Sequence, residues 1–206
     1  MKTRNKMATV KIALMLCIVA ALIGCSDGGG GGDGMDYKVG DTGPGGGIIF
    51  YVSKTGFTMT DNNQLCHYLE AAPSDQLTTL AWASTSYTTT GIDGTEFEIG
   101  TGRKNTALIL ATDVNAPAAK ACKDYTGGSK TDWFLPSKDE LKLMYENLAQ
   151  KGLGGFKTDE GANGTHVYWS SSQYNDIDAW PQSFSGGGQY DVYKTDPYSV
   201  RAVRAF

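Results

Sequence analysis

Apolar positions recur at helical spacing most clearly after Ser137, where Leu141, Met144, Tyr145 and Leu148 fall three or four residues apart. The opening S-K-D-E places Glu140 three residues after Ser137, a capping-box signature, and Gly152 is positioned to end the helix. Two further helices are predicted upstream. One spans Asn105 to Thr112; the other spans Ala116 to Tyr125, with Asn115 as N-cap and Pro117 in the first turn. On both sides of this middle region the apolar residues form short β-branched and aromatic runs. Ile48 to Val52 follows the turn-forming G-P-G-G-G of Gly43 to Gly47, and Cys66 to Ala72 ends at Pro73. Thr78 to Gly102 reads as irregular structure with brief strands. From His166 onward the runs are V-Y-W-S-S-S, A-W-P-Q-S-F, Q-Y-D-V-Y and Y-S-V-R-A-V-R-A-F. Helices in the middle with strands at both ends predict an α+β domain.

The last run predicts a buried charge. Read as one strand, it places Val200, Ala202, Arg204 and Phe206 on one face and Arg201, Val203 and Ala205 on the other. Each face then carries an arginine among apolar neighbours, and a buried guanidinium requires a carboxylate. Glu140 or Asp139 is the expected partner, with Glu140 and Arg204 as the structural ion pair.

At the other end lies a second kind of pattern. Lys2, Arg4, Lys6 and Lys11 precede an unbroken apolar run, Ile12 to Ile23, that ends in L-I-G-C at Leu22 to Cys25. The run is shorter than the ~20 residues a bilayer span requires, and it has the shape of a secretory signal. Cleavage before Cys25 would leave that cysteine as a lipid acceptor, so residues 1–24 are read as a lipoprotein signal peptide. The glycine-rich segment 25–35 is read as a flexible tether and 36–206 as a single domain. An exported, lipid-anchored protein at the outer membrane or cell surface is expected, fastened to the membrane by its N-terminal lipid.

Charge narrows the partners. The full chain carries −4, and loss of residues 1–24 removes four positive charges and no negative ones, leaving −8. No Lys/Arg run follows the signal, so nucleic acid is not an expected partner. Of the cysteines, Cys66 and Cys122 remain as a pair in an oxidising compartment, where a disulfide is expected and two buried free thiols are the alternative.

D-W-F-L-P-S-K-D-E-L (132–141), Y-W-S-S-S (168–172) and S-V-R-A-V-R-A-F (199–206) occur in that order. With G-D-T-G-P-G-G-G-I-I-F-Y (40–51), Y-L-E-A-A-P (68–73) and I-G-T-G-R-K-N-T (99–106), they cover most of the mature chain. The set resembles the bacterial surface-domain family named for the C-terminal domain of a collagen-like adhesin. That resemblance implies a C-type-lectin-like fold, here a single domain with two to three helices and short antiparallel strands. It also implies a binding or display role. The naming adhesin recognises glycosaminoglycans, a ligand the acidity of this chain does not favour, and lectin calcium motifs of the E-P-N and W-N-D kind are absent.

The residues themselves offer little catalytic chemistry. His67 and His166 are the only histidines and lie in no H-E-x-x-H or clustered Cys/His pattern; there is no G-x-S-x-G. Cys66 and His67 would point to opposite faces of a strand. Glu96 and Glu98 could share a strand face but read as a solvated edge. The G-T-G-R-K-N-T at 100–106 could form an anion site at a helix start, against a plain glycine-containing start of a helix. Asn175, Asp176 and Asp178 offer oxygens to calcium, against a solvated turn. No cofactor, metal site or enzyme activity is expected.

What remains is a crowd of aromatic residues in the last quarter of the chain. Tyr168, Tyr174, Trp180 and Tyr190, with Asp176, Asp178, Gln182 and Gln189, are the candidate ligand-binding residues for a glycan or an extracellular protein. A periplasmic glycan-acting enzyme, or a purely structural or antigenic surface protein, are the alternatives.

Overall fold

The computed structural model describes residues 36–160 and 164–206. The expectations for the signal peptide, Cys25 and the tether lie outside the described residues. Asp36–Phe206 form one compact unit.

Among the described residues, eight strands and three α-helices follow in chain order: β1 (Ile48–Thr58), β2 (Leu65–Ala71), β3 (Leu77–Leu80), α1 (Gly102–Thr112), α2 (Pro117–Lys123), α3 (Lys138–Asn147), β4 (Val167–Gln173), β5 (Asp178–Ser183), β6 (Val192–Tyr193), β7 (Tyr198–Val200) and β8 (Val203–Ala205). They build a three-stranded sheet, β1-β2-β8, and a five-stranded sheet, β3-β7-β4-β5-β6. The α+β class therefore holds. Two details of the expected architecture do not: β1 is eleven residues long, and β4 pairs with β7 in parallel.

The core has two parts. In one, Trp82, Ile109, Cys122, Trp133, Trp169 and Val200 join α1 and α2 to the larger sheet. In the other, Phe50, Cys66, Leu69, Leu141, Met144 and Val203 join α3 to the smaller one. Cys66 and Cys122 thus belong to different clusters, and both are free and buried. The expected disulfide is not formed, because β2 and α2 bury their thiols in separate parts of the interior. Burial pushes both thiols above their ordinary pKa, which makes them unreactive.

The capping box of α3 forms as predicted. Ser137 Oγ accepts from the Glu140 amide, and the Glu140 side chain accepts from the Ser137 amide at 2.8 Å. On α2 the N-cap is Ala116 and not Asn115, with Pro117 at the first helical position.

The C-terminal run is not one strand. Val200 ends β7 in the larger sheet and Val203 begins β8 in the smaller, so the chain changes sheets at Arg201–Ala202. Both arginines are buried at that crossing, at 1% and 6% exposure. Arg201 Nε donates to Asp75 Oδ1 at 2.7 Å, and its Nη1 donates to the carbonyls of Ala72 and Gly154 at 3.0 and 2.9 Å. Its guanidinium lies 4.2 Å from the centre of the Phe156 ring. Arg204 grips Asp132 with two bonds of 2.9 Å and reaches Glu70 Oε2 at 3.1 Å. Burial works against the Asp132 charge, but the Arg204 guanidinium holds the carboxyl below its ordinary pKa.

The expected Glu140–Arg204 pair is therefore corrected. Strand β8 pairs with β2, which carries Glu70 directly opposite Arg204, while Glu140 is committed to backbone amides.

Candidate functional site

Two glycine-rich segments expose backbone N–H groups, and a glutamate of the protein itself fills each. In the Gly43–Gly47 turn, the amides of Gly45 and Gly47 donate to Glu70 at 3.0 and 2.6 Å. A Cβ at Gly47 would collide with the Ala71 carbonyl, so only glycine lets the turn close over the carboxylate. At the start of α1 the Gly100 amide donates to Glu140 Oε1 at 2.9 Å, and a Cβ at Gly102 would strike Glu140 Oε2. The cations next to it are taken as well: Arg103 pairs with Asp61 at 2.7 Å and Lys104 with Glu96 at 3.0 Å. Segment 100–106 is thus a glycine-containing helix start closed over an internal carboxylate, and not an external anion site.

Filling that site fixes the loop that precedes it. Asn105 Nδ2 and Ser172 Oγ both donate to the Glu96 carbonyl at 2.7 Å. Ser137 Oγ donates to the Glu98 carbonyl at 2.9 Å, and the Asp139 amide to the Phe97 carbonyl at 2.9 Å. Glu96 and Glu98 lie in this loop and not on a strand. With its backbone bonds satisfied, the loop projects Phe97 outward at 40% exposure.

Phe97 meets Trp180 of β5 edge-on, ring centres 6.2 Å apart. On the other side Tyr174, 52% exposed, meets Trp180 edge-on at 5.2 Å. Lys138, the first residue of α3, lays its ammonium 3.4 Å from the centre of the Trp180 ring and 5.1 Å from that of Phe97. Burial lowers its pKa from the ordinary value while Asp139 opposes the shift. The Trp180 indole N–H has no acceptor among the described residues. The result is an aromatic patch in which Phe97 and Tyr174 stand nearly perpendicular to Trp180 and one cation lies over the indole.

A buried lysine supports the Tyr174 side. Lys194 donates to the Thr90 carbonyl, Gln173 Oε1 and the Asp176 carbonyl at 2.7–2.8 Å. Burial brings its pKa down to about 8. These bonds pin the β4–β5 turn that carries Tyr174.

The sequence-derived candidates divide accordingly. Trp180 and Tyr174 form the surface. Tyr168 does not: it is buried, its hydroxyl bonded to Asp75 and the Lys157 amide. Gln182 is buried too and donates to the Gly187 carbonyl. Gln189 Nε2 donates to the Lys138 carbonyl at 2.8 Å, a supporting contact beneath the cation. Tyr190 is exposed but is in no ring pair with the three. Asp178 accepts from Asn175 Nδ2, and Asn175 Oδ1 accepts from the amides of Ile177 and Asp178. The turn thus uses Asn175 for itself. Among the described residues no group of three or more His, Cys, Asp or Glu is placed to hold a metal. Phe97 and Lys138 were not legible as site residues; the available signal was an aromatic residue flanked by two glutamates in a polar loop.

Comparison with known proteins adds the following. No curated protein matches the chain. A solved structure, that of a fimbrial protein from Bacteroides ovatus ATCC 8483, is similar with a TM-score of 0.46 and 16% identity. The match covers 78% of this chain and 44% of that one, so the chain spans less than half of the fimbrial protein's length. A family model described as the Lcl C-terminal domain matches residues 72–204. That segment is more than half of the chain and takes in all three helices, the ring surface and the buried Arg201 and Arg204; the chain belongs to the Lcl C-terminal domain family.

Proposed function

We propose that the protein is a non-catalytic binding module, displayed at the cell surface and held there by a lipid on Cys25. In this reading the α+β architecture is C-type-lectin-like, and the ring surface of Phe97, Tyr174 and Trp180 contacts a glycan or an extracellular protein. The observation that carries it is the pair of half-exposed aromatic side chains set edge-on to Trp180 by a fully bonded loop and a pinned turn. Family membership supports a surface role. Two strongly perturbed charged groups, Glu140 and Lys194, are engaged with backbone and neutral side-chain partners inside the fold, which favours binding over catalysis.

A glycan and extracellular-matrix array probed with the full chain and with Trp180→Ala tests the surface. A ligand captured by the parent should bind the variant at least about ten-fold more weakly. Equal capture by the two chains would remove the ring surface from the reading, and an array silent for the parent would favour a structural role. The anchor has its own test. Labelled palmitate should enter the parent and not Cys25→Ala; a Cys25→Ala chain that still sediments with envelopes would rule out lipid anchoring.

A further inference from the structure

A cleft of about 360 Å3 runs beside α1 and shares no lining residue with the ring surface. Arg103, Ala107 and Leu110 lie four and three residues apart, so they form one helical stripe of about 10 Å. Facing them are Lys123 at the end of α2, and Asp132 and Trp133 on the segment that bridges to β8. The walls are apolar along the middle and charged at the rim.

What the rim can still bond decides what the cleft accepts. Both Asp132 oxygens are held by Arg204, and both Asp61 oxygens by Arg103 Nε and Nη2 at 2.7 and 2.9 Å. The cations are less satisfied. Arg103 Nη1 has one partner, Gln64 Oε1 at 3.4 Å, and Lys123 Nζ has one, the Thr131 carbonyl at 3.4 Å. Every carboxylate oxygen of the rim already accepts a short charge-assisted bond, whereas the rim N–H groups without a short partner belong to the two cations. Two cations against two carboxylates leave no net charge on the walls, which disfavours a dianion; a single negative charge is accepted only through the locally unpaired donors of Lys123 and Arg103.

We propose that this cleft binds a small monocarboxylate with an apolar body, its oxygens taking the spare N–H groups of Lys123 and Arg103 and its hydrocarbon lying along Ala107, Leu110 and Trp133. The volume corresponds to roughly a dozen waters, so a ligand of about that many heavy atoms fills it. The site stands independently of the ring surface and of its ligand.

The test is titration of the full chain with 3-phenylpropionate, followed by NMR at the Ala107 and Leu110 methyls and the Trp133 indole N–H. The acid should shift these signals saturably. The neutral 3-phenylpropionamide should bind at least about ten-fold more weakly, the loss expected for one charge-assisted hydrogen bond. Lys123→Met should weaken the acid by a similar factor. Ala107→Phe, a change at an exposed helix position, should fill the cleft and abolish the shifts with the melting temperature unchanged. Equal affinity for acid and amide would overturn the proposal, as would shifts confined to other residues or none at tens of millimolar acid. Tighter binding of 2-phenylethyl phosphate, a dianion at pH 8, would overturn the preference for a single charge.

Discussion

Arg204→Met should lower the unfolding free energy by about 3–5 kcal/mol, measured by urea denaturation at neutral pH. Arg204 bridges two carboxylates of unequal exposure: Glu70 is fully buried, and the Asp132 side chain is 37% exposed. Removing the guanidinium leaves the Glu70 charge in the interior with only the Gly45 and Gly47 amides to hold it. Methionine fills the space of the alkyl stem without supplying a charge. Asp132→Asn is the control. It removes the more solvated partner and should cost about 1 kcal/mol or less. Comparable losses from the two variants would show that the energy lies in the Asp132 grip and not in the buried carboxylate of β2.

Glu140→Gln should cost about 2 kcal/mol and also change how stability depends on pH. The carboxylate accepts from the Gly100 amide through one oxygen and from the Ser137 amide through the other. Glutamine sets an NH2 group against one of those donors, leaving a buried amide unsatisfied. Burial raises the Glu140 pKa from 4.5 to about 7, with the amides of Ser137, Gly100 and Gly102 pulling against it. Between those values the native chain holds a proton that the unfolded chain has released. The stability from this group is therefore fully present below about pH 4.5 and is lost as pH rises through about 7, by on the order of 3 kcal/mol. Glutamine does not titrate. Thermal melts across pH 4–8 should show the parent's advantage over Glu140→Gln shrinking as pH rises; parallel curves, or an unchanged melting temperature at every pH, would refute the assignment.

Much of the fold was legible where the determining contacts are local. The α3 capping box depends on residues three apart, and Ser137 and Glu140 formed it. Strand β2 appeared within one residue of its expected span because Pro73 and the apolar run bound it nearby. The final run misled for the opposite reason. Alternation reports which side chains share a strand but not whether the strand continues, and the chain leaves one sheet for the other at Arg201. The partner of Arg204 was missed in the same way: Glu70 is 134 residues away and is brought opposite by β2–β8 pairing. Spacing said nothing about whether Cys66 and Cys122 meet, and they do not bond.

The candidate site was half legible. Trp180 and Tyr174 belonged to the crowd of aromatic residues in the last quarter of the chain, and both reach the surface patch. Tyr168 looked the same in sequence but is buried, because β4 lies inside the larger sheet, flanked by β7 and β5. Phe97 and Lys138 join through a loop and a helix start that only backbone bonding brings together.

By itself the sequence determined the α+β class, the capped helix, the acidic charge and the need of at least one apolar-flanked arginine in the final run for a carboxylate, since each follows from periodicity or composition. Tertiary structure alone decided which carboxylates answer the arginines of that run, that both glycine-rich turns enclose the protein's own glutamates, and which aromatic side chains face outward. Those outcomes depend on sheet order and register, which bring together residues tens to more than a hundred positions apart.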